Sequence, residues 1–252
     1  MAISLDCSLE GKTAIISGDQ REWTPILALA MANAGANVVV AGSSKSDIYQ
    51  SLQVVKDSGK RIIAIETDIT SEREIASTTQ KAISEFGSID ILVNNARIEF
   101  GKPFVEVTES EWDQVMDFNA KSIFLFCREV GRYMLTQEKG RIVNIASGLA
   151  ERGLWNSVVS CASQGAIRQL TAALALEWAQ SNIRVNAIGS GWFSTDNSTI
   201  EDEQELLLRY IPSRRKGHPS DLCDLLVYLS SDACDFVTGQ MIYVDGGIMA
   251  HA

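Results

Sequence analysis

The chain of 252 residues has little positive charge to offer a polyanion: its formal net charge is -10, and its longest basic cluster is the three residues Arg214 to Lys216. Sequence-independent binding to nucleic acid or to an anionic membrane surface needs a basic footprint, so both classes of partner are excluded. The five cysteines, Cys7, Cys127, Cys161, Cys223 and Cys234, include no C-x-x-C pair. They read as reduced small hydrophobes, and neither a disulfide frame nor a metal site is expected. No apolar run approaches the roughly 18 residues of a membrane span, and the opening MAISLDCSLEGK lacks a basic region followed by an apolar one. A cytoplasmic protein is expected. Repeats and low-complexity linkers are absent as well. So is any tyrosine between Tyr133 and Tyr210, and any lysine between Lys139 and Lys216.

What is present is 46% hydrophobic residues, enough for one large core in a single domain spanning 1–252. Short β-branched runs alternate with longer segments of helical period. Strands are expected at 13–17, 37–41, 61–66, 89–94, 141–145, 183–188 and 241–244. Helices are expected at 25–34, 47–56, 72–85, 109–118, 121–136, 157–180 and 220–229. The pattern predicts an α/β fold, a seven-stranded parallel doubly wound Rossmann-type sheet with helices on both faces. Ligands of such sheets sit at the carboxyl ends of the strands.

Several segments fall at those ends: ISGDQREWTP after the first strand, TDIT at Asp68, NNA at Asn94 to Ala96, FNAKS at Asn119, Ser147 closing the fifth strand, IGSGWFSTDN after the sixth, and TGQMIYVDGG near the end. Their order and content resemble the short-chain dehydrogenase/reductase family over essentially the whole chain. The resemblance implies a nicotinamide-dependent oxidoreductase fold in which Ser147 and Asn119 are catalytic positions. It also implies that Gly18, Asp68, Asn94 and Ala96 line the cofactor groove. In Asn94 and Asn119 a stabilising role in the fold explains retention as well as catalysis does.

Against the family pattern, SCASQ stands where Tyr-x-x-x-Lys is expected, with Ser160 at the tyrosine position and Gln164 at the lysine position. A phenol near pKa 10, drawn down by a neighbouring ammonium, is a usable proton donor; a serine hydroxyl beside an uncharged amide is not. In the cofactor loop only Gly18 is kept, while Glu22 and Thr24 replace glycines, and Arg97 replaces the glycine after Asn-Asn-Ala. Thr24 and Pro25 still predict a helix start, with Thr24 as its cap. Glu22 puts a carboxylate where cofactor phosphates are expected, and two like charges about 4 Å apart repel by roughly 4 kcal/mol at an effective dielectric of 20. An ion pair between Arg97 and Glu22 or Asp19 is expected to fill the vacated region. The run Ala41 to Lys45 holds no acid to favour NAD, and Lys45 alone is a weak argument for NADP.

Three functional classes follow. The pattern of losses is best matched by a non-catalytic subunit of a heteromeric NAD-dependent alcohol or hydroxyacyl dehydrogenase. Such a chain binds no cofactor itself and pairs with an intact paralogue that holds NAD, a hetero-oligomer built partly through the helix 157–180 with its small residues Ser160, Ala162, Ser163, Gly165 and Ala166. An active NAD(P)-dependent oxidoreductase with an unorthodox acid, and a ligand-binding or regulatory protein reusing the cleft, are the alternatives. The loop Trp192 to Pro212, with Trp155 opposite, is expected to line an apolar pocket suited to an aromatic or acyl group.

Overall fold

The computed structural model describes residues 6–18, 22–43, 45–57, 59–195 and 206–250. Seven strands form one parallel sheet: β1 Thr13–Ser17, β2 Asn37–Gly42, β3 Ile62–Glu66, β4 Ile91–Asn94, β5 Gly140–Ser147, β6 Ile183–Ser190 and β7 Met241–Val244, ordered 3-2-1-4-5-6-7. Between them run α1 Thr24–Asn33, α2 Lys45–Asp57, α3 Glu72–Phe86, α4 Glu109–Met116, α5 Ser122–Gln137, α6 Val158–Trp178, α7 Leu206–Tyr210 and α8 Cys223–Ser230. The expected doubly wound sheet is therefore the observed one. Among the described residues no helix is long and apolar enough to cross a membrane.

Strand alternation divides the interior in two. Ala14, Ile16, Val38 and Val40 face a cluster closed by Leu27 and Met31 of α1 and by Leu226 and Leu229 of α8. Ile15, Val39 and Ala41 face the opposite cluster, closed by Ile75 of α3, Phe126 and Val130 of α5, and Ile167 of α6. Both faces of a parallel sheet are buried, which is why β1 and β5 are buried at every position, their polar residues included.

Local chemistry sets several boundaries. Ser71 caps α3 by accepting from the Glu74 amide, and Gly87 ends it in the left-handed region at φ 88°. Thr108 and Glu111 form a reciprocal capping box at the start of α4. The helices expected at 109–118 and 121–136 meet through a single π-helical turn, Asp117–Lys121, centred on the buried Asn119. Thr24 is not the cap of α1: the preceding Trp23 is already helical, no side chain caps that end, and the Thr24 hydroxyl instead accepts from Asn95 at 3.1 Å. The segment 220–229 opens as a 3-10 turn at Pro219–Leu222 before α8 begins. The short α7 has too few residues for a helical period to be read.

Candidate functional site

A hydrogen-bonded floor crosses the middle of the sheet. Ser17 Oγ donates to Asn94 Oδ1 (3.0 Å), Asn94 Nδ2 donates to Asn144 Oδ1 (2.8 Å), and Asn144 Nδ2 donates to Thr171 Oγ1 (2.9 Å). Asn94 is fully buried and both ends of its amide are used, so it holds β1, β4, β5 and α6 in register. Gly18 is retained for a similar reason. At φ 122° it lies so close to β4 that a Cβ there would sit 2.3 Å from the Asn95 carbonyl oxygen.

Above this floor opens a cavity of about 390 Å³, bounded by the ends of β4, β5 and β6, the start of α6 and the C-terminal turn. Arg97, Asn119, Ser147, Ser160 and Gln164 all line it, so the fold brings together residues that lie far apart in sequence. Asn119 binds both backbone groups of Ile98, accepting from its N–H (2.8 Å) and donating to its carbonyl (3.0 Å), and also donates to Ser163 Oγ (3.1 Å). The π turn that presents Asn119 thus positions the whole segment after β4.

At the two positions where the family pattern fails, the chemistry is specific. Ser160 Oγ donates to the Phe100 carbonyl (2.9 Å) and accepts from the Phe100 amide (3.2 Å). Its one proton is committed to a backbone carbonyl, so it does not stand in for the missing phenol. Gln164 Oε1 accepts from the Ser147 amide at 2.9 Å, which fixes the orientation of the side chain because an N–H can face only the oxygen. Gln164 Nε2 is then a buried donor without a partner. Ser147 Oγ accepts from the Leu149 amide (3.3 Å), and no acceptor for its own proton occurs among the described residues. Ser147 and Gln164 both line the cavity, the one with its hydroxyl proton unspent and the other with its amide N–H buried and unpartnered. Tyr243 on β7 is no substitute acid: it does not line the cavity, and burial, reinforced by Glu151, pushes its phenol up to about 12.

Arg97 does not pair with Glu22. Its guanidinium donates to Ser190 Oγ (3.2 Å) and to Glu99 (2.8 Å) and lies over the Trp23 ring at 5.6 Å. Burial lowers its pKa from the ordinary value while Glu99 raises it, and the group stays cationic. Glu22 is exposed and accepts from the Thr195 hydroxyl across the groove, while Trp23 packs on Phe193 at a centroid distance of 5.1 Å. Asp19 lies outside the described residues, as does most of the segment between Trp192 and Pro212. Trp192 lines the cavity, but Trp155 is 88% exposed and does not. Sequence reasoning missed Arg152, and it directed the tail from Gly247 toward a neighbouring subunit's pocket, whereas Ile248 and Met249 line this chain's own cavity. No group of residues suited to hold a metal occurs among those described.

A parallel sheet in this order, with a cavity at its carboxyl ends beside the turn after β1, defines a doubly wound α/β fold of the dinucleotide-binding type. A family model described as enoyl-(acyl carrier protein) reductase matches residues 26–249. The chain belongs to the short-chain dehydrogenase/reductase family. It is 37% identical over 248 residues to a 2-dehydro-3-deoxy-D-gluconate 5-dehydrogenase of Dickeya dadantii, covering 96% of this chain and 97% of that one. It is 33% identical over 246 residues to a 5-keto-D-gluconate 5-reductase of Escherichia coli, covering 96% and 97%. Among solved structures, a gluconate 5-dehydrogenase from Burkholderia cenocepacia in complex with NADP and tartrate superposes with a TM-score of 0.91 at 29% identity, covering 98% of this chain and 99% of that one.

These relatives overturn three expectations drawn from the degraded motifs. The chain is not read as a non-catalytic subunit, since full-length relatives are dehydrogenases and reductases in their own right. The replacements at Ser160 and Gln164 leave a formed cavity that both residues line. The expectation that no cofactor is bound falls with the NADP-containing relative. Physically, the expectation set the Glu22 carboxylate against the cofactor phosphates, whereas Glu22 is an exposed side chain held by one hydroxyl and not by Arg97. A catalytic paralogue as obligatory partner falls as well. The small residues of α6 that suggested it point partly inward: Ser160 holds Phe100, Ser163 holds Asn119, and Ile167 is buried in the chain's own core.

Proposed function

We propose that the chain is itself a nicotinamide-dependent oxidoreductase that interconverts a secondary alcohol and a ketone on an anionic substrate, as a single domain over 1–252. The observation that carries this reading is a cavity lined by two arginines and by Ser147, whose hydroxyl proton is unspent, with the unpartnered Gln164 Nε2–H buried beside it. The names of the relatives, dehydrogenases and reductases of sugar acids, support the same reaction class.

The groove residues fit a dinucleotide at its adenosine end. There the exposed Asp68 and the backbone around Gly18 and Ala96 would hold it, and β2 ends in Ala41 and Gly42 without a carboxylate to repel the extra phosphate of NADP. At the pyrophosphate end they fit once Glu22 turns away from Thr195. Bound nicotinamide supplies or accepts the hydride. Ser147 and Gln164 hold the substrate oxygen by neutral hydrogen bonds, and Asn119 keeps the adjoining segment in place. With Ser160 committed to Phe100, the proton on that oxygen is exchanged with water at the cavity mouth.

The test is to titrate the homogeneous chain with NADPH and NADH by calorimetry, and to assay it on oxo and hydroxy sugar acids. Binding of at least one cofactor and slow turnover are expected, and Glu22→Gln should tighten binding about tenfold by removing a charge from the phosphate region. Absence of binding to both cofactors at millimolar concentration, in wild type and variant alike, ends the proposal.

A further inference from the structure

The relatives named above act on polyhydroxylated acids, but the walls of this cavity are not built for hydroxyl groups. Ile98, Phe100, Leu149, Leu154, Trp192 and Met249 make up much of the lining. The polar side chains among them are largely engaged with the protein: Ser160 with Phe100, Asn119 with Ile98 and Ser163, and Ser190 with the Ala146 carbonyl. A row of substrate hydroxyls placed against such walls gives up its water without gaining partners, and each unpaired polar group carries a desolvation penalty. The free donors of Ser147 and Gln164 suffice for one oxygen, the reacting one.

Charge is the second consideration. Arg97 already has a carboxylate partner in Glu99, and its other contacts are the Ser190 hydroxyl and the Trp23 ring. Arg152 differs. One of its nitrogens donates to the Ile248 carbonyl at 2.9 Å, which pins the guanidinium at the cavity rim, and no acidic partner for it occurs among the described residues. An anchored guanidinium with unused N–H groups beside an apolar volume is a carboxylate receptor, and its planar fork suits two parallel hydrogen bonds.

We propose, resting on the oxidoreductase reading of this site, that the substrate is a carboxylate with an apolar aryl or alkyl body, its carboxylate held by Arg152 and its body by the apolar walls, in place of a sugar acid. Arg152 is then the residue that sets specificity for the acid group, and Leu149, Leu154 and Met249 set it for the body. At about 390 Å³ the cavity has room for a phenylalkyl acid beside the reacting end of a cofactor.

Binding is measured by calorimetry on the intact chain without cofactor, using 3-phenylpropanoate, D-gluconate and the uncharged 3-phenylpropan-1-ol as probes. The aryl carboxylate is expected to bind at least about tenfold more tightly than gluconate. Arg152→Gln should weaken 3-phenylpropanoate about tenfold or more and leave the alcohol unchanged, with Arg152→Lys recovering part of the loss. Leu154→Asn, on an exposed position of the rim, should weaken both aryl probes alike. Gluconate binding as tightly as the aryl acid, or Arg152→Gln leaving the carboxylate's affinity unchanged in a chain of unaltered melting temperature, overturns the proposal. Because the readout is binding of the acid alone, aryl-acid binding in a chain that turns over no hydroxy or oxo acid with either cofactor counts against the oxidoreductase reading and leaves the carboxylate receptor standing. Turnover of sugar acids without aryl binding does the reverse.

Discussion

Ser160 occupies the position of the family's proton donor, yet its hydroxyl is spent on both backbone groups of Phe100. It has become a tether for the segment after β4. Gln164 has kept the place of the lysine while exchanging its charge for an amide, half of which is fixed by Ser147 and half of which is free. A site made this way binds an oxygen without supplying an acid of suitable strength. Installing Ser160→Tyr with Gln164→Lys restores a phenol and a nearby ammonium, and turnover should rise by about 100- to 10,000-fold, the usual contribution of positioned acid-base catalysis. The pH dependence carries the sign. Ketone reduction by the unmodified chain should fall steadily as pH rises through the neutral range, because the proton comes from solvent, and the double variant should hold a plateau there. Parallel profiles for the two proteins would count against this account.

At the level of elements, the turn of π-helix between α4 and α5 is the device that aims the site. It carries Asn119 inward, where three hydrogen bonds bind it to Ile98 and Ser163. Asn119→Ala leaves those backbone groups of Ile98 and the Ser163 hydroxyl without these partners in a buried setting. A loss of about 2–4 kcal/mol in unfolding free energy is expected from such orphaned groups, together with weaker ligand binding. Denaturant melts of variant and parent check it. The helix just before this turn begins at the Thr108 capping box, where Glu111 accepts from the Thr108 backbone and from Lys102. Those bonds, the backbone one first, lower its pKa from 4.5 to about 2. A carboxylate whose folded pKa is depressed contributes stability above its unfolded pKa and loses it as pH falls through the folded value. The contribution is thus complete above about pH 4.5 and gone near pH 2. In Glu111→Gln the acid limb of the stability curve should be shallower across that interval, as thermal melts across the same pH series can read.

For the whole molecule, the end of the sheet away from the cavity is held by a different chemistry. Arg141, only 3% exposed at the start of β5, donates to the Ser231, Gly140 and Asn182 carbonyls and pairs with Asp232 and Asp235. Arg184 shares Asp235, while Lys12 and Lys139 share Asp232. The cluster fastens the segment after α8, and with it β7, to the rest of the sheet. Arg141→Met should cost about 1–3 kcal/mol, from the backbone carbonyls it leaves unpaired, since the exposed Asp232 and Asp235 are taken up by water. Cofactor and acid affinities should stay unchanged, since the cavity lies at the opposite ends of the strands. Calorimetric melting together with the binding titrations separates the two effects, and a loss of affinity with no loss of stability would refute this assignment.

Much of this architecture is legible in the amino-acid order. Strand runs such as Thr13 to Ser17 and Asn37 to Ala41 are apolar at nearly every position because both faces of a parallel sheet are covered, and that signal is local. The departures at Ser160, Gln164, Glu22 and Arg97 are legible too, because each replaces a residue in a motif. What the replacements do is a matter of three-dimensional neighbours. That Arg97 turns to Glu99 and Trp23 and leaves Glu22 alone, that Ser160 spends its proton on Phe100, and that Arg152 and Met249 meet Ser147 across one cavity all depend on how β4, β5, β6 and the C-terminal turn converge. Ser160 and Phe100 are 60 positions apart in the chain, and Arg152 and Ile248 are 96 apart. The sequence by itself therefore determined the family and the places where its motifs changed, and only the tertiary structure decided that Arg97, Ser160 and Gln164 line one cavity while Glu22 lies outside it.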